Sequence, residues 1–130
     1  MTTPSTTQDP VPVRHLAVGT DDILGFSIAN EPTKADYLFI NNLITAQLKK
    51  ESQLRMLLRF SGLSNELTES FFNELRETID FFKRRTRIAV CCDHYQKQRM
   101  NLGELVSEDI AVGHFGTDQQ AAIEWLSADF

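Results

Sequence analysis

The chain has 130 residues, of which 42% are hydrophobic and 24% charged, and its formal net charge is -5. This length suits a single domain, and the acidic balance argues against a general nucleic-acid binder, because such proteins usually carry a basic excess. Every apolar run is shorter than the roughly 18 residues that a membrane-spanning helix needs, so we expect no membrane span.

The amino-terminal segment is rich in Thr, Ser and Pro. Residues 1–13 hold three of the four prolines and no cluster of large apolar side chains, which predicts a disordered tail. The segment also lacks the apolar stretch of a secretory signal peptide. We therefore expect a single domain over residues 14–130, located in the cytoplasm.

Two short apolar segments open this domain. Residues 15–18 predict a strand, and the Gly-Thr-Asp-Asp stretch at 19–22 predicts a turn. Residues 23–29 predict a second strand, because Leu24, Phe26 and Ile28 recur at a period of two. Together the two strands predict a hairpin.

A helix is predicted to follow this hairpin. Thr33 is a good N-cap, and Asp36 complements the exposed amides of the first turn. Several apolar side chains then fall on one side at helical spacing, namely Tyr37, Ile40, Leu43, Ile44 and Leu48. The apolar run at 54–60 predicts the third strand, which ends at the Ser61-Gly62 turn.

The longest predicted helix runs from Leu67 to about Arg85. Its last turn, Lys83-Arg84-Arg85, places cations where the helix dipole is negative. Residues 87–92 predict a fourth strand, and a weak helical segment lies near 95–106. Residues 110–115 predict a fifth strand, and a capping-box pattern at 117–120 begins the last helix.

The predicted order is β-β-α-β-α-β-α-β-α. Alternating strands and helices imply right-handed crossovers and parallel pairing. We therefore predict an α/β fold with a mixed, mostly parallel five-stranded sheet, an N-terminal hairpin and covering helices.

Several segments of the chain resemble the SpoIIAA-like branch of the STAS domain family. They are residues 23–26 in the hairpin, 35–37 at the first helix, 57–60 in the third strand, 87–90 in the fourth, and 112–115 leading into the alanine-rich 120–126. The resemblance covers about residues 16–126. It implies a compact α/β domain without a cofactor, and a binding role towards regulatory protein partners or lipid-like ligands.

One departure from the family pattern concerns Ser61. Classical anti-sigma-factor antagonists carry an Asp-Ser-Ser/Thr-Gly segment after this strand, and the serine is phosphorylated. Here Ser61-Gly62 echoes that segment, but Phe60 stands where the acid would be. Ser61 is thus either a phosphorylation site or part of a turn that leaves a strand.

Cysteine and histidine side chains offer the candidates for catalysis. Cys91 and Cys92 lie in an apolar strand, where cysteine usually behaves as a small buried hydrophobe, and adjacent cysteines rarely form a disulfide. Asp93-His94 follows at the carboxyl end of a predicted parallel strand, where α/β sheets bind ligands. No spacing typical of a metal site is present, so we expect no metal.

The apolar stripes on two predicted helices are wider than a sheet alone requires. At 100° per residue, the apolar side chains of the long helix span about 100°, and Phe81 widens this to about 180°. Leu38 and Phe39 project to the flanks of the first helix. The surplus must meet another helix of the chain, a second subunit or an apolar ligand. We expect Leu38, Phe39, Phe72 and Phe81 to contact a second subunit or an apolar ligand; the alternative is that the two helices cover these side chains against each other.

These features predict a binding module that is not an enzyme. It would bind a lipid-like apolar ligand or a protein partner through its amphipathic helices, and it would form a homo-oligomer. Two alternatives stay open: a phospho-regulated partner switch that uses Ser61, and a small enzyme that uses Asp93, His94 and a cysteine.

Overall fold

The computed structural model describes residues 12–62, 64–92 and 109–128. The predicted tail up to residue 11 and the predicted helix near 95–106 lie outside the described residues. The elements of the described part are β1 (Val13–Leu16), β2 (Leu24–Ile28), α1 (Lys34–Lys50), β3 (Leu54–Phe60), α2 (Asn65–Phe82), β4 (Thr86–Cys91), β5 (Ile110–Gly116) and α3 (Gln119–Ser127).

The five strands form one sheet in the order β1-β2-β3-β4-β5. The pair β1 and β2 is antiparallel, while β2, β3, β4 and β5 pair in parallel. This confirms the predicted mixed, mostly parallel sheet with an N-terminal hairpin. Parallel neighbours place their carboxyl ends at the same edge of the sheet.

The first strand begins earlier than predicted. β1 covers residues 13–16 rather than 15–18, because Val13 pairs with Ile28 and Leu16 with Gly25. Val13 is buried, and the backbone N–H of Ala29 donates to the carbonyl of Pro12. The predicted boundary between tail and domain therefore falls inside β1.

The start of α1 follows its local sequence closely. The Thr33 hydroxyl accepts a hydrogen bond from the Asp36 backbone, and the Asp36 carboxylate accepts one from the Thr33 backbone, which completes a capping box. Ile40, Ile44 and Leu48 are buried, and Tyr37 and Leu43 pack against them. The predicted cap and inward side of this helix are confirmed.

The long helix α2 differs from its prediction at both ends. It begins at Asn65, because the Ser64 hydroxyl accepts a hydrogen bond from the Leu67 backbone and caps the helix. It ends at Phe82, where Lys83 adopts a left-handed conformation with φ of 54°. Lys83, Arg84 and Arg85 therefore lie beyond the helix and do not form its last turn.

The two faces of the sheet are covered differently. On one face, α1 and α2 pack on β-strand side chains such as Phe26, Met56 and Val90, which form the larger core. On the other face, Ala122 and Leu126 of α3 pack on Leu57, Ala89 and Cys91. Alternate residues of each strand thus serve two separate cores, as strand geometry requires.

The burial of Phe72 contradicts one prediction about the apolar surface. This side chain is only 2% exposed, and its ring lies 5.6 Å from the ring of Phe60 and 6.1 Å from that of Phe71, centroid to centroid. The expectation that Phe72 contacts a partner or ligand is wrong, because β3 and α2 of the same chain bury it.

Candidate functional site

The large apolar side chains exposed in the described part of the chain are on α1 and α2. Phe81 is 80% exposed, Leu38 61% and Phe39 42%. Phe39 is partly committed to the core, since its ring makes an edge contact with Phe26 at a centroid distance of 6.3 Å. Leu38 and Phe81 are therefore the more available pair.

A shallow groove runs between α1 and α2. The Thr78 hydroxyl donates to the Asn41 side-chain oxygen at 3.0 Å and joins the two helices. Leu38 lies two turns before Thr45 on the same face of α1, whereas Phe81 itself lines the groove. We call this the helix groove; it measures about 330 Å³ and is lined by Asn41, Thr45, Glu77, Thr78, Phe81 and Phe82.

The two helices that border the helix groove carry opposite charge. α1 contains three lysines and one aspartate, whereas α2 contains five acidic residues and one arginine. That arginine, Arg76, forms an ion pair on its own helix, with its Nε atom 3.5 Å from Oδ2 of Asp80. α1 is thus the more basic of the two helices and α2 the more acidic, and Glu77 of α2 lines the groove.

A second cavity lies at the edge of the sheet where β2, β3, β4 and β5 end. It measures about 540 Å³, which is within the range of small-molecule sites. Open α/β sheets bind ligands at this edge. We call it the strand-end cavity; its lining consists of Ser27, Arg59, Phe60, Ser61, Gly62, Cys91, Cys92, Gly116, Thr117 and Gln119.

Ser61 lines this cavity and is exposed. Its backbone N–H donates to the carbonyl of Ile28 at 3.0 Å, so the residue continues the ladder between β2 and β3. It does not cap α2, since Ser64 does. An exposed hydroxyl at this position is compatible with both interpretations of Ser61, as phosphorylation site and as turn residue.

Arginines from the sheet hold α3 in place, a role that the sequence pattern did not predict. Arg55 Nε donates to the carbonyl of Leu126 at 2.6 Å, and Arg87 donates to the carbonyls of Trp125 and Ala128 at 3.0 Å. The Arg87 guanidinium also lies 5.4 Å from the Trp125 ring centroid. These cations satisfy carbonyls at the negative end of the helix dipole.

Cys91 and Cys92 are both buried and neither forms a disulfide, as the sequence predicted. Burial raises the pKa of the Cys91 thiol above its ordinary value, and the neighbouring Cys92 raises it further, although Arg59 opposes the shift. Nucleophilic cysteines need the opposite change, since the thiolate is the reactive form. Asp93 and His94, which the enzymatic alternative also uses, lie outside the described residues.

We therefore expect iodoacetamide to label Cys91 slowly in the native protein at neutral pH. The raised pKa reduces the thiolate fraction, and burial limits access, so labelling should be at least about tenfold slower than in urea. Mass spectrometry of timed samples measures both rates. Native labelling as fast as in urea would contradict this expectation and favour the enzymatic alternative.

The described ranges contain neither a cluster of metal-ligating side chains nor a helix suited to span a membrane. No group of three or more His, Cys, Asp or Glu side chains there is arranged to hold a metal ion. Of the helices described, none combines the length and the hydropathy needed to cross a membrane.

Comparison with protein families gives one result. The model of the SpoIIAA-like family matches residues 23–127, which is most of the chain and runs from the residue before β2 to the end of α3. The resemblance seen in the sequence is thereby confirmed. Comparisons with curated proteins and with solved structures give no match.

Proposed function

The chain belongs to the SpoIIAA-like family of STAS-type binding or regulatory domains, and we propose that it is a non-enzymatic binding module that works through the helix groove. The exposure of Phe81 and Leu38 beside one groove carries this proposal. Single exposed apolar side chains are common on proteins, but Phe81 lines a concave surface and Leu38 is on the face of α1 that borders it. Covering them removes apolar area from water and stabilises a complex.

We propose that the occupant of the helix groove is a second copy of the chain. α1 and α2 both follow strands of the parallel part of the sheet, so they run in the same direction. A two-fold axis along the groove therefore sets α1 of one copy against α2 of the other. The basic α1 then meets the acidic α2, so charge complementarity favours this pairing.

The same arrangement explains how modest exposed area can hold a dimer. A two-fold axis uses each residue twice, so the interface contains two copies of Leu38 and two of Phe81. Burial of one such side chain contributes about 1.5–3 kcal/mol. Loss of both Phe81 contacts should therefore cost about 3 kcal/mol or more, which is over a hundredfold in Kd.

We expect the Phe81→Asp variant to be a folded monomer at concentrations where the wild-type chain is a dimer. Native mass spectrometry reports subunit number and any bound lipid in the same spectrum. Asn73→Asp is the matched control, because it adds the same charge to an exposed position of α2 that does not line the helix groove. That variant should remain a dimer.

Two results would contradict the proposed dimer. A wild-type chain that is monomeric at tens of micromolar would exclude the second copy as the occupant. A co-purifying lipid that Phe81→Asp removes would show that the groove binds an apolar ligand instead.

A further inference from the structure

A row of side chains crosses the sheet next to the strand-end cavity. Arg14 of β1 pairs with Ser27 of β2, Ser27 pairs with Arg59 of β3, and Arg59 pairs with Cys91 of β4. Directly paired residues point to the same face of a sheet. Since strands lie about 4.8 Å apart, two arginines stand roughly 10 Å apart with a serine hydroxyl between them.

The arginines on this face of the sheet differ in what they contact. Arg55 and Arg87, nearer the amino ends of the parallel strands, donate to the last carbonyls of α3. Arg14 and Arg59 are both exposed, and in the described part of the chain neither forms an ion pair. Arg59 donates to the neutral Gln119 side chain at a long 3.3 Å.

The strand-end cavity surrounds Arg59 with further hydrogen-bond donors. The hydroxyls of Ser27, Ser61 and Thr117 line it, as does the side chain of Gln119. The carboxylate of Asp118 is turned to the α3 backbone, where it accepts a hydrogen bond from Ala121 at 3.0 Å. The cavity thus combines a guanidinium with neutral donors on three strand ends and the start of α3.

We propose that the strand-end cavity binds the phosphate group of a small phosphate monoester. Arg59 makes charge-assisted hydrogen bonds to the phosphate oxygens, and Arg14 reaches the same anion across Ser27. A phosphate monoester carries about -1.5 to -2 charge and three acceptor oxygens, which matches two arginines and several hydroxyls better than a carboxylate does. Arg14, Ser27 and Arg59 are on the opposite face of the sheet from the helix groove, so this site is independent of the proposed dimer.

Isothermal titration calorimetry of the full chain at low ionic strength tests this inference, because salt screens exposed charges. The probes are glycerol 3-phosphate, acetate, and phosphatidylcholine vesicles with and without phosphatidic acid. We expect saturable binding of glycerol 3-phosphate and weaker binding of acetate. Arg59→Gln should weaken phosphate binding at least about tenfold, and Arg14→Gln should weaken it less.

Arg84→Gln is the matched control for these variants. It removes the same charge from an exposed position outside the cavity, and the affinity for phosphate should not change. Arg59→Lys keeps the charge but loses the planar fork, so its affinity should fall between those of wild type and Arg59→Gln. The Phe81→Asp variant should bind phosphate normally, which separates this inference from the proposed dimer.

The outcomes distinguish the source of the phosphate group. Binding of phosphatidic acid vesicles alone, lost in Arg59→Gln, would place the same phosphate chemistry on a lipid headgroup. Acetate binding as tight as phosphate binding would overturn the phosphate assignment. The inference also fails when no phosphate probe binds, or when Arg59→Gln and Arg84→Gln bind phosphate equally.

Discussion

The Phe72→Asp variant is expected to leave most of the chain unfolded. Removing a buried phenylalanine from a core costs about 3–5 kcal/mol, and a carboxylate buried without a partner adds a desolvation cost. The sum approaches the whole stability of a typical domain, about 5–15 kcal/mol. Phe72 is 2% exposed between Phe60 and Phe71, so solvent cannot hydrate the new charge without opening this core.

Phe81→Asp is the control for this prediction, because it makes the same substitution on the same helix at a position that is 80% exposed. Surface substitutions usually change stability by less than about 0.5 kcal/mol, so this variant should fold. Far-UV circular dichroism and urea unfolding compare the two proteins. A cooperative urea transition for Phe72→Asp at the wild-type midpoint would contradict the packing of α2 described above.

Gly25→Ala is expected to destabilise the sheet at the β1–β2 pair. A Cβ atom on Gly25 would lie 2.5 Å from the carbonyl oxygen of Leu16 and 3.2 Å from a methyl group of Val18. The first contact is with backbone, so β1 must move to relieve it. Overpacking of this kind costs about 1–3 kcal/mol, although alanine alone favours a strand interior over glycine by about 0.5–1 kcal/mol.

Gly113→Ala on β5 provides the comparison for this variant. There a Cβ atom would meet the ring ends of Phe115 at 2.9 Å and Trp125 at 3.3 Å, and side chains can turn where backbone cannot. The free energy of unfolding in urea should therefore fall less than in Gly25→Ala. A larger loss of unfolding free energy in Gly113→Ala than in Gly25→Ala would show that β1 can move away from residue 25 at little cost.

The sequence predicted the start of α1 and the inner side of β2, because both depend on residues that are close together in the chain. The capping box of Thr33 and Asp36 depends on residues three positions apart, so it can be identified without tertiary structure. The alternation of Leu24, Phe26 and Ile28 likewise predicted the inner side of β2. The predicted order of strands and helices, together with several residues, then supported the family resemblance.

The sequence could not determine which side chain at the edge of an apolar stripe is covered. Phe72 and Phe81 lie at opposite edges of the widened stripe of α2, and helical spacing alone treats them alike. Their burial differs because α2 lies over β3, where Phe60 covers Phe72. The position of a helix over its sheet depends on contacts between distant parts of the chain.

The contacts between the sheet arginines and α3 could not be predicted for a related reason. Arg55 and Arg59 stand at alternate positions of an apolar strand, with Leu57 between them. This period-two pattern places all three on one face of the sheet. It is the sequence signal from which the position of the two arginines could be predicted. What each guanidinium contacts depends on where α3 lies, since Leu126 and Gln119 are 71 and 60 residues away from Arg55 and Arg59 in the chain.

The strand order also bears on how the chain acquires its fold. Each of the five described strands after the first lies beside the strand that precedes it in sequence, so none of these five has to enter between two that are already paired. A chain leaving the ribosome can therefore extend its sheet at one growing edge, in the order in which the strands are synthesised.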